Sequence, residues 1–203
     1  MTTLENLIKH FERFPGVGPR QARRFAHHLL TEEGSVNQEI GDLIQKLKDN
    51  VTTCPECFRF FAKNGGSNLC YTCADTTRNN ERLTIVERDS DIQSIERSGV
   101  YDGKYFVLGG IAPLLDSEDS KKLRGGALKR IVTERTPELK EIILAFSVNP
   151  DGENTARFVR SILTEVIDEH NIIVSQLGRG LSTGSELEYA DPETIKSALE
   201  NRH

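Results

Sequence analysis

The chain has 203 residues, 36% hydrophobic and 28% charged, the balance of an ordinary soluble globular protein with room for one medium domain and small appendages. Its 26 Lys and Arg against 31 Asp and Glu give a formal net charge of −5, which excludes a wholly basic surface but not a local basic patch. No apolar run approaches the roughly 20 residues of a membrane span, and Met1-Thr2-Thr3-Leu4-Glu5 lacks the basic-then-apolar start of a signal peptide, so cytoplasmic residence is expected.

Residues 2 to 13 read as a helix. Thr2 and Glu5 have capping-box spacing, and Leu4, Leu7, Ile8 and Phe11 share one face. The run Phe14-Pro15-Gly16-Val17-Gly18-Pro19 follows. Its glycines allow positive φ and close backbone approach. Pro19 suits the first turn of a second helix, running to about Leu30 with Ala22, Phe25, Ala26 and Leu29 inward. Helix, Gly-Val-Gly hairpin, helix is a helix-hairpin-helix pattern. Bare amides at the hairpin and at the second helix N-terminus suit an anion. Gly16 and Gly18 keep side chains away, and Arg20, Arg23 and Arg24 can reach DNA phosphates without reading sequence. Residues 1 to 30 hold Lys9, Arg13, Arg20, Arg23 and Arg24 against only Glu5 and Glu12, so the basic excess is local. A tight αα-turn with a solvated basic face, or a packing surface for another subunit, would use the same residues. Ser35 and Gln38 read as a second capping box. Val36, Ile40, Leu43, Ile44 and Leu47 form a stripe expected to complete a small N-terminal core.

All four cysteines follow. Cys54-Pro55-Glu56-Cys57 and Cys70-Tyr71-Thr72-Cys73 enclose a spacer of 12 residues, 58 to 69. Two CxxC knuckles bring four thiolates to one tetrahedral Zn²⁺, and a closed sulfur shell leaves no position for chemistry. The metal is therefore structural, and its binding is part of folding. Disulfides need an oxidising compartment, and a redox CxxC stands alone rather than as a matched pair. Iron is the competitor for the same shell. Phe58, Phe60 and Phe61 are read as knuckle core before base-stacking platforms.

From Leu83 strands alternate with helices. The expected strands are 83–86, 105–108, 141–146 and 172–176; the expected helices are 89–98, one carrying Leu123, Leu128, Ile131 and Val132, and 154–170. Gly125 and Gly126 are expected to fray the second helix. Residues 147–153 read as a turn, and an Asp- and Ser-rich loop follows the second strand. The alternation implies parallel strands with crossover helices. Glu87, Asp151 and Glu153 then meet at the carboxyl ends of the strands, where ligands bind in such sheets. The tail ends in a short helix with Asp191 as cap and Pro192 in its first turn.

In this order the parts resemble the RecR family of bacterial recombination mediators over nearly the whole chain. The resemblance rests on residues 14–19, Cys54 to Cys73, Thr84-Ile85-Val86-Glu87, Gly103 to Leu108, Gly152-Glu153-Asn154-Thr155-Ala156 and Leu187 to Asp191. It implies a multi-part α+β and α/β chain. A helix-hairpin-helix DNA-binding domain would span residues 1–53, a four-cysteine zinc finger 54–80, a Toprim α/β domain with a parallel sheet 81–172, and a C-terminal assembly segment 173–203. It also implies a ring-like homotetramer that binds DNA and RecO, in many bacteria RecF, and helps load RecA on single-stranded gaps without catalysis. In the family the turn after the third strand usually reads Asn-Pro-Thr-Val-Glu-Gly-Glu. Here it is Ser147-Val148-Asn149-Pro150-Asp151-Gly152-Glu153, with Ala112 at a frequent Ser and Arg20 at a frequent Lys.

Two other functions compete. A Toprim enzyme would hold Mg²⁺ with an acid after the first strand and an Asp-x-Asp pair after the third. That pair falls at Ser147 and Asn149, which carry no charge, leaving Glu87, Asp151 and Glu153 for one weak Mg²⁺ or for docking a basic partner. A zinc-stabilised interaction module that never touches DNA is the other, and the hairpin arginines speak against it.

Overall fold

The computed structural model describes residues 1–63, 66–112, 123–178, 180, 181, 184 and 186–200. They fall into two compact units, Met1–Thr52 and the chain from Thr53 onward. The Asp- and Ser-rich loop and part of the stretch from 179 to 185 lie outside the described residues. Among those described, no helix is long and apolar enough to cross a membrane.

The first unit is helical. Helix α1 (Thr3–Phe11) starts at the expected capping box: Glu5 N–H donates to Thr2 Oγ1 and Thr2 N–H to a Glu5 carboxylate oxygen at 2.7 Å. Helix α2 (Pro19–Thr31) buries Ala22 and Ala26. Their small side chains allow close approach, and Phe11 meets Phe25 edge-on at 5.9 Å. Helix α3 (Gly34–Asn50) departs from expectation twice. It begins two residues earlier than a Ser35 cap requires, with Glu33 at the N-cap and no side-chain cap bond. Its apolar stripe is not a core: Val36 is half-buried, while Leu43, Ile44 and Leu47 are 61%, 66% and 59% exposed. The α1–α2 core is too small to cover them.

Strand β1 (Val51–Thr53) lies at the boundary between the units and pairs with β2 (Phe60–Ala62). A one-turn helix, α4 (Tyr71–Ala74), carries the second knuckle. The α/β part runs β3 (Asn79–Val86), α5 (Asp89–Ser98), β4 (Gly103–Val107), α6 (Gly125–Arg135), β5 (Glu141–Ala145), α7 (Pro150–His170) and β6 (Ile173–Gln176). A 3-10 turn (Leu187–Tyr189) and α8 (Pro192–Glu200) follow. The strands lie in the order β4-β3-β5-β6, and every pair is parallel. The order reverses between β3 and β5, where ligands bind in open α/β sheets. Leu83, Ile85, Phe106, Leu128, Ile142 and Leu163 anchor the main core between this sheet and α6 and α7.

Helix α5 has the expected bounds because Asp91 caps the Arg88 N–H at 2.8 Å and Gly99 closes it with φ of 68°. Two expectations are corrected. Helix α7 starts at Pro150, so residues 150–153 are helix rather than turn: Asn149 accepts from Gly152 N–H, Pro150 fits the first turn, and Asp151 and Glu153 favour the positive end of the helix. Gly125 does not fray α6. It is buried there, and a Cβ would stand 3.0 Å from the Phe158 ring, so the glycine permits close packing of α6 on α7.

Candidate functional site

Three places carry side chains with chemistry. The first is the hairpin between α1 and α2. Val17 N–H donates to Phe14 O at 3.1 Å and closes the turn, while Gly16 sits at φ +76°, the left-handed region that favours glycine. Gly18 is the N-cap of α2 at φ −82°, with nothing within 4 Å of where a Cβ would stand. Its missing side chain therefore serves access and not conformation. The amides of Gly16, Gly18 and Arg20 donate to no partner among the described residues. Arg20, Arg23 and Arg24 are exposed beside them. Among the described residues none of the three is ion-paired, and only Arg24 makes a side-chain hydrogen bond, a long one of 3.4 Å to Gln21. Bare amides, a helix N-terminus and uncommitted guanidinium groups converge on one surface, an arrangement suited to phosphate.

The second place is the cysteine cluster. The Sγ atoms of Cys54, Cys57, Cys70 and Cys73 all lie within 4.8 Å of one another, with Cys57 and Cys70 at 3.5 Å. Sulfurs about 2.3 Å from a tetrahedral centre stand about 3.8 Å apart, so the set fits a Zn²⁺-sized ion. Cys54, Cys57 and Cys70 are buried, and Cys73 is half-buried. Phe58 N–H donates to Cys54 O and Cys54 N–H to Arg59 O, both at 2.9 Å, which shapes the first knuckle. The neighbouring sulfurs, each thiol's CxxC partner foremost, push the Cys54 thiol down and the Cys57 thiol up. Cys70, raised by Cys54 but lowered more by Cys57 and Cys73, falls to about 7. The aromatic residues divide. Phe61 packs on the cysteines. Phe58 turns away at φ 61° to pack 5.4 Å from the Phe106 ring, so it belongs to the α/β core and not to the knuckle. Phe60 is exposed.

The third place is the carboxyl end of the sheet. Glu87 follows β3 but is nearly buried, and its Oε1 accepts from Ser147 N–H at 2.9 Å. Its carboxylate thus holds the β5–α7 turn at the strand-order reversal. Asp151 and Glu153 are half-buried in the first turn of α7. The positions that an Asp-x-Asp pair would fill do backbone work instead: Ser147 donates to Glu87, and Asn149 caps α7. Among the described residues the four cysteines are the one group of three or more potential metal ligands, so the three acids do not converge. Thr155 Oγ1 accepts from Ala112 N–H at 2.8 Å, and Asn154 Nδ2 donates to Ala112 O at 3.0 Å, pinning the loop after β4 to α7. In the sequence Gly152 stands out only as part of a motif. Its structural role is steric, because a Cβ there would lie 1.9 Å from Ser147 O. The signal for the turn was the Asn149-Pro150 pair, a helix start that resembles turn chemistry.

Comparison with known proteins gives a consistent result. Residues 4–48 match the family model described as "RecR, helix-hairpin-helix", residues 81–177 that described as "Toprim domain", and residues 180–203 that described as "RecR, C-terminal". The protein named "Recombination protein RecR" from Prochlorococcus marinus (strain MIT 9312) is 33% identical over 98% of this chain and 94% of its own length. Its namesake in Methylobacterium radiotolerans is 34% identical over 98% of this chain and 94% of its own. That of Legionella pneumophila is 31% identical over 100% and 96%.

Proposed function

The chain belongs to the RecR family of recombination proteins, and from that premise we propose that it is a non-catalytic, DNA-binding mediator of recombinational repair. A role in recombination follows from the family itself. The finer reading is that it acts with RecO, and with RecF where that partner is present, to help load RecA on single-stranded gaps in the cytoplasm. The observation that carries the DNA contact is the hairpin: open amides at Gly16, Gly18 and Arg20 beside exposed Arg20, Arg23 and Arg24. Such contacts neutralise phosphates and are blind to sequence. A titration of single-stranded and duplex DNA across salt concentrations, with wild type and Arg20→Ala/Arg24→Ala, tests it.

In this reading Cys54, Cys57, Cys70 and Cys73 hold one structural zinc. The metal supplies a cross-link between two knuckles and no reaction step. One hairpin offers few phosphate contacts, so binding strength comes from several copies acting together. The uncovered α3 stripe and a groove of about 610 Å³ bordered by Leu4, Leu7, Leu30 and Ile40 support self-association of the helical unit. Exposed Leu187, Tyr189 and Leu199 support it at the tail. A tetrameric ring uses both, and light scattering that gives a monomer mass would count against it.

The sheet end serves as a docking surface in the same reading. Asp151 and Glu153, half-buried in the first turn of α7, are the acids that would meet a basic surface of RecO, while Glu87 holds Ser147. Incubation with Mg²⁺ or Mn²⁺ and labelled DNA should give no cleavage, relaxation or primer synthesis. Turnover lost in Glu87→Gln would show an enzyme.

A further inference from the structure

Arg59 and Lys104 are the two buried basic side chains among the described residues, at 6% and 5% exposure, and both bond to Thr72 in the second knuckle. Lys104 lies on β4, an edge strand of the sheet. Its Nζ donates to Thr72 O at 3.1 Å, Cys73 O at 3.2 Å and Asp75 O at 2.7 Å. Three ammonium N–H groups thus meet three carbonyls at the C-terminal end of α4, where the last turn of a helix leaves carbonyls without partners. A buried cation is tolerated only when so satisfied. The first knuckle is tied to the same strand: Val107 N–H, on the edge of the sheet, donates to Cys57 O at 2.8 Å. Strand β4 therefore grips both halves of the cysteine cluster, one through its backbone and one through Lys104.

We propose that Lys104 is a positioning residue for the metal centre: it fixes the second knuckle in ligating geometry and couples metal occupancy to the edge of the α/β sheet. This rests on the metal reading above. Four thiolates around a divalent ion leave a net charge of about −2. Lys104 puts its positive charge against the backbone of a ligand, and Arg59 crosses the Tyr71 ring at 4.8 Å to reach Asp89 at the start of α5. Both cations thus bind the knuckle to the sheet domain while offsetting that charge. Outer partners of this kind orient ligands and tune affinity. A cleft of about 390 Å³ lined by Cys73, Lys104, Glu56 and Arg135 lies beside the one half-buried sulfur. Loosening Lys104 would open the knuckle on this side.

The test uses the full chain loaded with zinc. Zinc affinity is measured by competition with a chromophoric chelator for wild type, Lys104→Met and the distant surface variant Lys129→Met. Lys104→Met should bind zinc about 10- to 100-fold more weakly, and Lys129→Met should match wild type. Zinc should also raise the melting temperature less in Lys104→Met than in wild type, a difference that loss of sheet packing alone would not produce. Amine labelling of the wild-type chain, read by mass spectrometry, gives an independent arm. Lys104 should be protected with zinc and reactive once zinc is stripped. A zinc-loaded wild type with Lys104→Met affinity within twofold, or equal labelling of Lys104 in both states, would overturn this inference alone. A wild type that takes up no zinc would overturn the metal reading and this inference with it.

Discussion

Replacing Gly152 by alanine probes the turn that joins β5 to α7. The added Cβ would lie 1.9 Å from Ser147 O, 2.8 Å from its carbonyl carbon and 3.2 Å from its nitrogen. These are backbone atoms, so no side chain can swing aside, and the turn must open by about 1.5 Å to reach ordinary contact. Opening it strains two bonds at once, Glu87 to Ser147 N–H at 2.9 Å and Asn149 to Gly152 N–H at 2.8 Å. Forced overpacking costs about 1–3 kcal/mol, a weakened N-cap about 1, and a buried carboxylate deprived of its donor about 1–3. The better helix propensity of alanine returns about 1. A net loss of about 2–6 kcal/mol lowers the melting temperature by roughly 4–24 °C in a chain of this size. Calorimetry on the zinc-loaded protein reads it directly. DNA binding, measured at a temperature where both proteins are folded, should be unchanged. A melting temperature within about 1 °C of wild type would refute the steric reasoning.

The hairpin glycines should separate conformation from access. Gly16→Ala places a side chain at φ +76° and should cost about 1 kcal/mol of stability. Gly18→Ala, in open space at φ −82°, should melt within about 2 °C of wild type yet bind DNA several-fold more weakly, because the added methyl takes up space at the open hairpin surface. Cys57→Ser should lose the metal and destabilise the chain; elemental analysis finding well under one zinc in wild type, with the fold intact by circular dichroism, would remove the metal from the account. Charge reversal at Asp151 and Glu153 should weaken RecO binding in a salt-sensitive way and leave zinc content and DNA binding alone. Calorimetric titration showing equal RecO affinity at low salt would move the docking surface elsewhere.

Much of this fold is legible because local chemistry and periodicity agree. Thr2 and Glu5 announce α1, Asp91 and Gly99 bracket α5, and four apolar runs become four parallel strands. Reading fails where one residue type serves two purposes. Asn149-Pro150-Asp151-Gly152 is turn composition and also a helix start, and the structure chooses the helix. Gly125 looks like a helix breaker but is a contact with Phe158. The α3 stripe has the spacing of a core face, yet spacing says nothing of what covers it. The cysteine set was visible because CxxC pairs are local. Its supports were not: Lys104 lies 31 residues from Cys73, and only the fold brings them together. Likewise Glu87 reads as an acid at a strand end, while its bond to Ser147 spans 60 residues.

The central claim is that the Gly16–Arg24 hairpin contacts the DNA backbone. The most direct measurement is the affinity of the full chain for an oligonucleotide at several salt concentrations, wild type against Arg20→Ala/Arg24→Ala. If each arginine neutralises one phosphate, the double variant should bind more weakly at every salt, and its log–log salt slope should be shallower by about 1.4–1.8 per contacting copy. An unchanged slope with unchanged affinity would contradict the account and place the DNA site elsewhere on the chain.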